Sequence, residues 1–259
     1  MITITPSSTI TTLIIALSLS PEHQRGILDL NRSETEQKIQ YLDGFVSATF
    51  HKSLDGTLVT EYAQWASREQ FQAAYNNPLF YEHIPEVQKV AKDDWDFYEV
   101  AYVDPGLTQP QGTDVMTISL EQQPATIIII FKVDPSQQQA LLTTLIEDHE
   151  RDLRTLPGFQ AVSFHRGLSG KRIVAYLQFK SVEEFQAVYQ HPSVQAHIAA
   201  CNALATSEVH LYTVDGLVTA PNASKHINTH WRQHSLSRPT EPDPLENGSS
   251  ESYTIPFTR

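Results

Sequence analysis

The sequence predicts an α+β fold: two tandem ferredoxin-like units, each β-α-β-β-α-β, paired within one chain as a pseudo-dimeric α+β barrel. Three observations carry this. Glu61 to His83 recurs at Ala175 to His197 at a constant offset of 114 residues (197 minus 83), with no gap. Within each copy, short β-branched apolar runs alternate with stretches of helical spacing. Finally, the sheet of each copy is apolar on both faces, so helices cover one face and a second sheet must cover the other.

In the repeated stretch Tyr62, Gln64, Ser67, Glu69, Phe71, Gln72, Ala73, Tyr75, Pro78 and His83 each meet the same residue type. Beyond it, Pro21 meets Pro135, Gly44-Phe45 meets Gly158-Phe159, Phe50-His51 meets Phe164-His165, and Ile2 to Thr5 falls on Met116 to Ser119. So long a period marks a duplicated domain, because solenoid periods run roughly 20–50 residues. Two alike halves in one chain imitate an isologous dimer. The expected boundaries are 1–103 for the first domain, 104–114 for a Pro/Gly/Gln linker, 115–218 for the second domain and 219–259 for a polar C-terminal extension.

Each copy opens with a strand, Leu13 to Leu19 and Ile127 to Val133, too short and too β-branched for a stable helix. Pro21 and Pro135 follow at the place where a missing N–H costs nothing, so a helix begins there. Leu141, Leu142, Leu145, Ile146, Leu153 and Leu156 form its apolar stripe in the second copy. Ile27, Leu28, Ile39 and Leu42 keep the ends of that stripe in the first, with Asn31 and Arg32 in the middle. Gly44 and Gly158 read as left-handed C-caps of these helices. Phe45 to Lys52 and Leu58 to Trp65 then flank Asp55-Gly56 as a hairpin, and Phe159 to Arg166 and Arg172 to Phe179 flank Ser169-Gly170. Ser67 and Ser181 are N-caps of second helices that break at Pro78 and Pro192 and resume through His83 and His197. Trp95 to Val103 and Val209 to Val214 are the last strands.

Composition excludes several functions. Eighteen basic against thirty acidic residues give a net charge of −12, and no basic stripe is present, which argues against nucleic-acid binding. The lone Cys201 rules out an intrachain disulfide and a cysteine-based metal centre. No apolar run reaches the ~18–20 residues that cross a bilayer, and the run at Thr12 to Leu19 lacks the basic flank of a signal peptide. A cytoplasmic protein with no membrane partner is therefore expected. Nucleophile-elbow, phosphate-loop and dinucleotide motifs are missing. In the tail, His226, His230 and His234 have metal-ligand spacing on a helix but no acidic or cysteine companion, and no metal site is expected.

Together, the Gly-Phe before the second strand, the aromatic-His pair ending it, and a strand closing on Trp65-Ala-Ser67 into Phe71-x-x-Ala-Tyr75-x-x-Pro78-x-x-x-x-His83 resemble the antibiotic biosynthesis monooxygenase family. The resemblance covers most of both copies. It implies a dimeric α+β barrel and, for family members that oxidise anthrone-type polyketides, oxygenation by molecular oxygen with no metal, flavin or other cofactor. Such chemistry needs an electron-rich phenol or carbanion, a base and a dry pocket. The family's Tyr-His pair falls on Phe50-His51 and Phe164-His165, its tryptophan on Trp65 and Phe179, and its strand asparagine on Glu61 and Ala175. The Asn and Trp pattern of haem-degrading relatives is absent.

The expected site therefore has His51, Glu61 and Trp65 as catalytic residues, with Asn31, Phe50, His83, His165, Phe179 and His197 binding substrate. Strand parity sets His51 with Phe45, Ser47 and Thr49, and His165 with Phe159, Ala161 and Ser163. Asn31, Glu61 and Trp65 stand where the second copy has Leu145, Ala175 and Phe179, so the first half should hold a polar cavity and the second an apolar one. The expected partners are a small aromatic or hydrophobic substrate and molecular oxygen, within an intrachain pseudo-dimer that leaves room for a further homodimer. The competing reading is a non-catalytic module of the same fold that binds a small ligand or serves assembly.

Overall fold

The structure, a computed structural model, describes residues 1–6, 9–106, 114–121 and 124–221. The first half runs β1 (Ile2–Ile4), β2 (Thr11–Leu19), α1 (Pro21–Gln37), β3 (Phe45–Ser53), β4 (Leu58–Trp65), α2 (Arg68–Tyr75), α3 (Pro78–Tyr81), α4 (Ile84–Gln88) and β5 (Ala91–Asp104). The second runs β6 (Met116–Ile118), β7 (Ala125–Val133), α5 (Gln138–Arg151), β8 (Phe159–Gly167), β9 (Arg172–Phe179), α6 (Val182–Tyr189), α7 (Pro192–Asn202) and β10 (Ala205–Thr219). Residues 107–113 of the expected linker, and all of the tail from 222 with its three histidines, lie outside the described residues.

Among the described residues eight strands close a barrel in the order β10-β3-β4-β2-β5-β8-β9-β7, every pair antiparallel. The two halves are fastened by their last strands. The early part of β5 pairs with β2 of its own half and the later part with β8 of the other; β10 likewise pairs first with β7 and then with β3. These strands are longer than their apolar cores suggest, because each must reach both sheets. Closure leaves no open edge for stray pairing.

Alternation along each strand sends one set of side chains inward and one outward. The lumen is packed by residues from both halves, among them Ile14, Leu58, Tyr62, Tyr98, Ile128, Val174, Tyr176 and Tyr212. At one end β1 and β6 pair with each other, Thr3 opposite Thr117, and Ile4, Met116 and Ile118 plug that lumen. Gln64 and Gln178, 114 residues apart, each donate Nε2 to this small sheet, at Thr3 O and Thr117 O, both at 3.0 Å.

Outside the barrel, α1 lies over β3 and β4, and α5 over β8 and β9. Their buried stripes are Ile27, Leu28, Asn31 and Thr35 in α1, and Leu141, Leu142, Leu145 and His149 in α5. Both helices stop sooner than their apolar stripe, at Gln37 and Arg151, and a turn of 3-10 helix carries Ile39 and Leu153. Gly44 (φ 85°) and Gly158 (φ 77°) therefore do not cap the α-helices; they follow these short turns and bend the chain into β3 and β8. Ser67 and Ser181 cap as expected, accepting the Gln70 and Glu184 N–H. Pro85 and the cap at His83 split the first half's helix in two, whereas α7 runs unbroken through His197. No helix of the described residues is long and apolar enough to cross a membrane.

Candidate functional site

The predicted site residues divide between the two faces of the sheet. Phe50 and His51 are neighbours on β3 and point to opposite faces, and Glu61, opposite Phe50, shares the face of Phe50; β3 and β8 also carry bulges, between Phe45 and Ser47 and between Phe159 and Ala161. One extra residue reverses the alternation upstream of it. Phe45 thus faces the helices and packs edge-on to Trp65 at 5.4 Å, while Ser47 and His51 stay on the lumen side. His51 is separated by the sheet from Phe50, Glu61 and Trp65, with which it was expected to act.

In the lumen both histidines meet a tyrosine of the other half. His51 is wholly buried; its Nδ1 lies 3.1 Å from Thr60 O and must carry the proton, leaving Nε2 to accept the Tyr176 hydroxyl at 2.9 Å. Both ring nitrogens are thereby engaged. His165 takes the corresponding place in the other half, its Nε2 3.0 Å from the Tyr62 hydroxyl but its buried Nδ1 without a hydrogen-bond partner. Burial holds both imidazoles neutral, lowering each pKa to about 4. Tyr212 extends the network by accepting from Thr60 Oγ1 at 3.0 Å.

The outer layer of the first half differs. Glu61 sits opposite Phe50 on β3 and Ile15 on β2, and Ala63 separates it from Trp65 on the same face. Glu61 is half-buried as a residue, yet its carboxyl is deep enough that desolvation raises its pKa to about 7, and among the described residues it has no ion-pair or hydrogen-bond partner. Trp65 is ringed by Phe45, Phe71 and Phe80. Its indole Nε1 is buried without an acceptor, and so are Oδ1 of Asn31 and Nδ1 of His83 without partners. His83 stands 3.9 Å from Glu34, and burial lowers its pKa. Buried polar groups are nearly always paired, so Asn31, Trp65 and His83 offer atoms whose bonding a ligand or water would complete; Thr49 Oγ1, Ser163 Oγ and His165 Nδ1 in the lumen and Glu184 Oε2 in the second half are unpaired as well.

The second half keeps the frame, but the positions of Asn31, Glu61 and Trp65 are apolar there. Leu145, Ala175 and Phe179 are buried apolar residues there, with Phe179 edge-on to Phe159 and Phe185. His197 is satisfied: its Nδ1 is 2.9 Å from Asp148 Oδ2, and the buried Cys201 thiol, pushed up to about 12, lies 3.6 Å from its Nε2. Of the predicted residues, the structure gathers Asn31, Phe50, Glu61, Trp65 and His83 into one helix-sheet layer, puts His51 and His165 in the lumen, and sets Phe179 and His197 in the opposite layer. Sequence reasoning missed Tyr62 and Tyr176 as partners of the histidines. Their exact repetition was the available signal. No group of three or more metal-ligating side chains occurs among the described residues.

The family model for antibiotic biosynthesis monooxygenases matches residues 124–200. Tetracenomycin-F1 monooxygenase of Streptomyces glaucescens is 39% identical over 112 residues, 43% of this chain and 99% of that enzyme. Among solved structures, an anthrone oxidase-like protein is similar in fold at a TM-score of 0.75 and 21% identity, over 85% of this chain and 97% of that one. A Fusobacterium nucleatum protein is similar at a TM-score of 0.57 and 6% identity, over 82% of this chain and 94% of its own. A relative matched over nearly its whole length, a family match in the second half and a shared two-unit barrel agree: the chain belongs to the antibiotic biosynthesis monooxygenase family.

Proposed function

We infer that the protein is a cofactor-independent monooxygenase that oxidises an electron-rich aromatic small molecule, of polyketide or quinol type, in the helix-sheet layer of its first half. The observation that carries this reading is the set of unpaired buried polar atoms on Asn31, Trp65 and His83 beside the lone Glu61 carboxyl. The names of the relatives, a tetracenomycin-F1 monooxygenase and an anthrone oxidase-like protein, support the substrate class. Residues 1–103 then carry the site, and residues 115–218 act mainly as its pseudo-dimer partner.

Glu61 is the base. A carboxylate whose pKa lies near 7 is half ionised at neutral pH and can take a proton from an activated ring carbon or phenol. The resulting anion gives an electron to molecular oxygen, and the superoxide and substrate radical combine to a peroxide at the ring carbon. Loss of water leaves a carbonyl there. Overall CH2 plus O2 gives C=O plus H2O, the carbon losing the four electrons that the oxygen gains. Trp65 Nε1 donates to the developing oxyanion, and Asn31 and His83 orient the substrate's oxygens.

Oxygen uptake by metal-stripped protein with a panel of anthrones and hydroquinones tests this. Protein-dependent uptake of one O2 per substrate is expected, falling on the order of 10²–10⁴-fold in Glu61→Gln. The family match falls on the half whose corresponding positions are Leu145, Ala175 and Phe179, which favours a ligand-binding role as the second reading. Binding of the same panel without uptake would establish that reading instead.

A further inference from the structure

Val209 and Leu211 on β10 stand where the first half has Trp95 and Phe97 on β5. The two places are equivalent in the fold. Leu54 N donates to Leu211 O at 2.9 Å across the join between halves, and Leu168 N donates to Phe97 O at 2.8 Å across the other. In the first half the space is filled by aromatic rings: Phe97 lies 5.0 Å from Phe71 and 5.8 Å from Trp95, both edge-on, with the Arg68 guanidinium 5.4 Å above it. In the second half Val209, Leu211 and Val182 replace Trp95, Phe97 and Arg68, and the rings are gone.

An open groove of about 510 Å³ takes their place, lined among others by Leu54, Phe185, Tyr189, Val209, His210 and Leu211. The volume falls within the roughly 300–1,000 Å³ of small-molecule sites. Phe185 and Tyr189 hold their rings 6.0 Å apart along one wall, and Leu54, Tyr189 and Val209 are exposed hydrophobic residues. At the rim His210 Nδ1 and Asp55 Oδ2 stand 3.6 Å apart and offer a polar contact beside the apolar walls.

We propose that this groove is a second binding site, distinct from the first half's layer, for a planar aromatic molecule of two fused rings bearing a hydroxyl group. The first half supplies the template for the ligand: an indole and a phenyl ring occupy the corresponding volume there. The ligand stacks on Phe185 and Tyr189, lies over Val209 and Leu211, and turns its hydroxyl to the His210 and Asp55 rim. Edge-on and offset ring contacts hold an aromatic ligand more tightly than its buried area alone would, which gives the site its preference for aromatics.

2-Naphthol titrated into the full chain is the probe, read by methyl resonances of Leu54 and Leu211 together with equilibrium dialysis. Saturable shifts of both methyls are expected. Val209→Trp, at an exposed position, refills the groove with the first half's own side chain and should weaken this binding at least tenfold while leaving oxygen uptake at the first-half site unchanged. Cyclohexanol of matched concentration should not shift the methyls. Absence of saturable shifts, equal affinity in Val209→Trp, or equal shifts with cyclohexanol would overturn the proposal. None of these outcomes depends on whether the chain oxidises any substrate.

Discussion

Tyr176 donates its hydroxyl to Nε2 of His51 across the barrel at 2.9 Å, and Tyr62 meets His165 at 3.0 Å from the opposite direction. Each pair joins one half to the other. With the bonds between β5 and β8 and between β10 and β3, these crossed pairs join a polar seam that also includes Thr60–Tyr212, Lys52–Asp215, Arg172–Asp94 and His149–Asp104, beside the apolar packing of the lumen.

Tyr176→Phe leaves Nε2 of His51 bare in the lumen and should destabilise the protein by about 1–3 kcal/mol. Tyr62→Phe should cost a similar amount. His51→Leu combined with Tyr176→Phe should cost less than the sum of the single changes, because removing both partners removes the unsatisfied group. Urea unfolding of the four proteins checks this; strict additivity would mean that the two side chains are not coupled.

Acid should unfold the protein through the same residues. Each imidazole has a pKa of about 4 when folded and 6.5 in its ordinary state, so the unfolded chain binds more protons between these values. Stability is then full above pH 6.5 and declines as pH falls toward 4, by on the order of 3 kcal/mol for each histidine. Thermal melts across this range should show the fall, and His165→Gln should flatten it.

Glu61 has the opposite sign. Its carboxyl titrates at about 7 in the fold against 4.5 in its ordinary state, so the folded protein holds the extra proton, and stability is lost as pH rises from 4.5 to 7. Glu61→Gln should gain up to about 3 kcal/mol over the parent at pH 8 relative to pH 4. If Glu61 is the base, the parent's oxygen uptake should rise with pH through an apparent pKa of about 7, and the Gln variant should lose that limb.

Asn31→Leu copies the residue that the second half uses. It replaces an unpaired buried amide oxygen by packing and should stabilise the protein by roughly 1 kcal/mol. The same change should raise KM for the aromatic substrate. A variant both less stable and equally active would refute the assignment of Asn31 to the ligand.

At Gly106 the backbone has φ 81°, and an added Cβ would stand 1.9 Å from the carbonyl oxygen of Gln160, the bulged residue of β8. Gly106→Ala should cost more than about 1 kcal/mol. Chemical denaturation would measure it directly.

Much of this was legible in the chain. The offset of 114 residues announced two copies, β-branched runs and prolines placed strands and helix starts, and the apolar sheet faces required a barrel. The contrast of Asn31, Glu61 and Trp65 with Leu145, Ala175 and Phe179 already marked the first half as the polar one. The placement of His51 was not legible, because which face of the sheet becomes the lumen, and that Tyr176 of the other half reaches Nε2 there, depends on how the two halves close; the bulge that turns Phe45 to the helices likewise forms only when the neighbouring strand fixes the register.

The sequence by itself determined the duplication, the order of elements and the asymmetry between halves, because these rest on residue identity and short-range spacing. Tertiary structure decided which groups meet: Tyr176 with His51 over 125 residues, Tyr62 with His165 over 103, and a groove at Val209 lined from the other half by Leu54 and Asp55. Such contacts form when the two sheets close on one another, and that closure follows from burying both sets of inner faces at once.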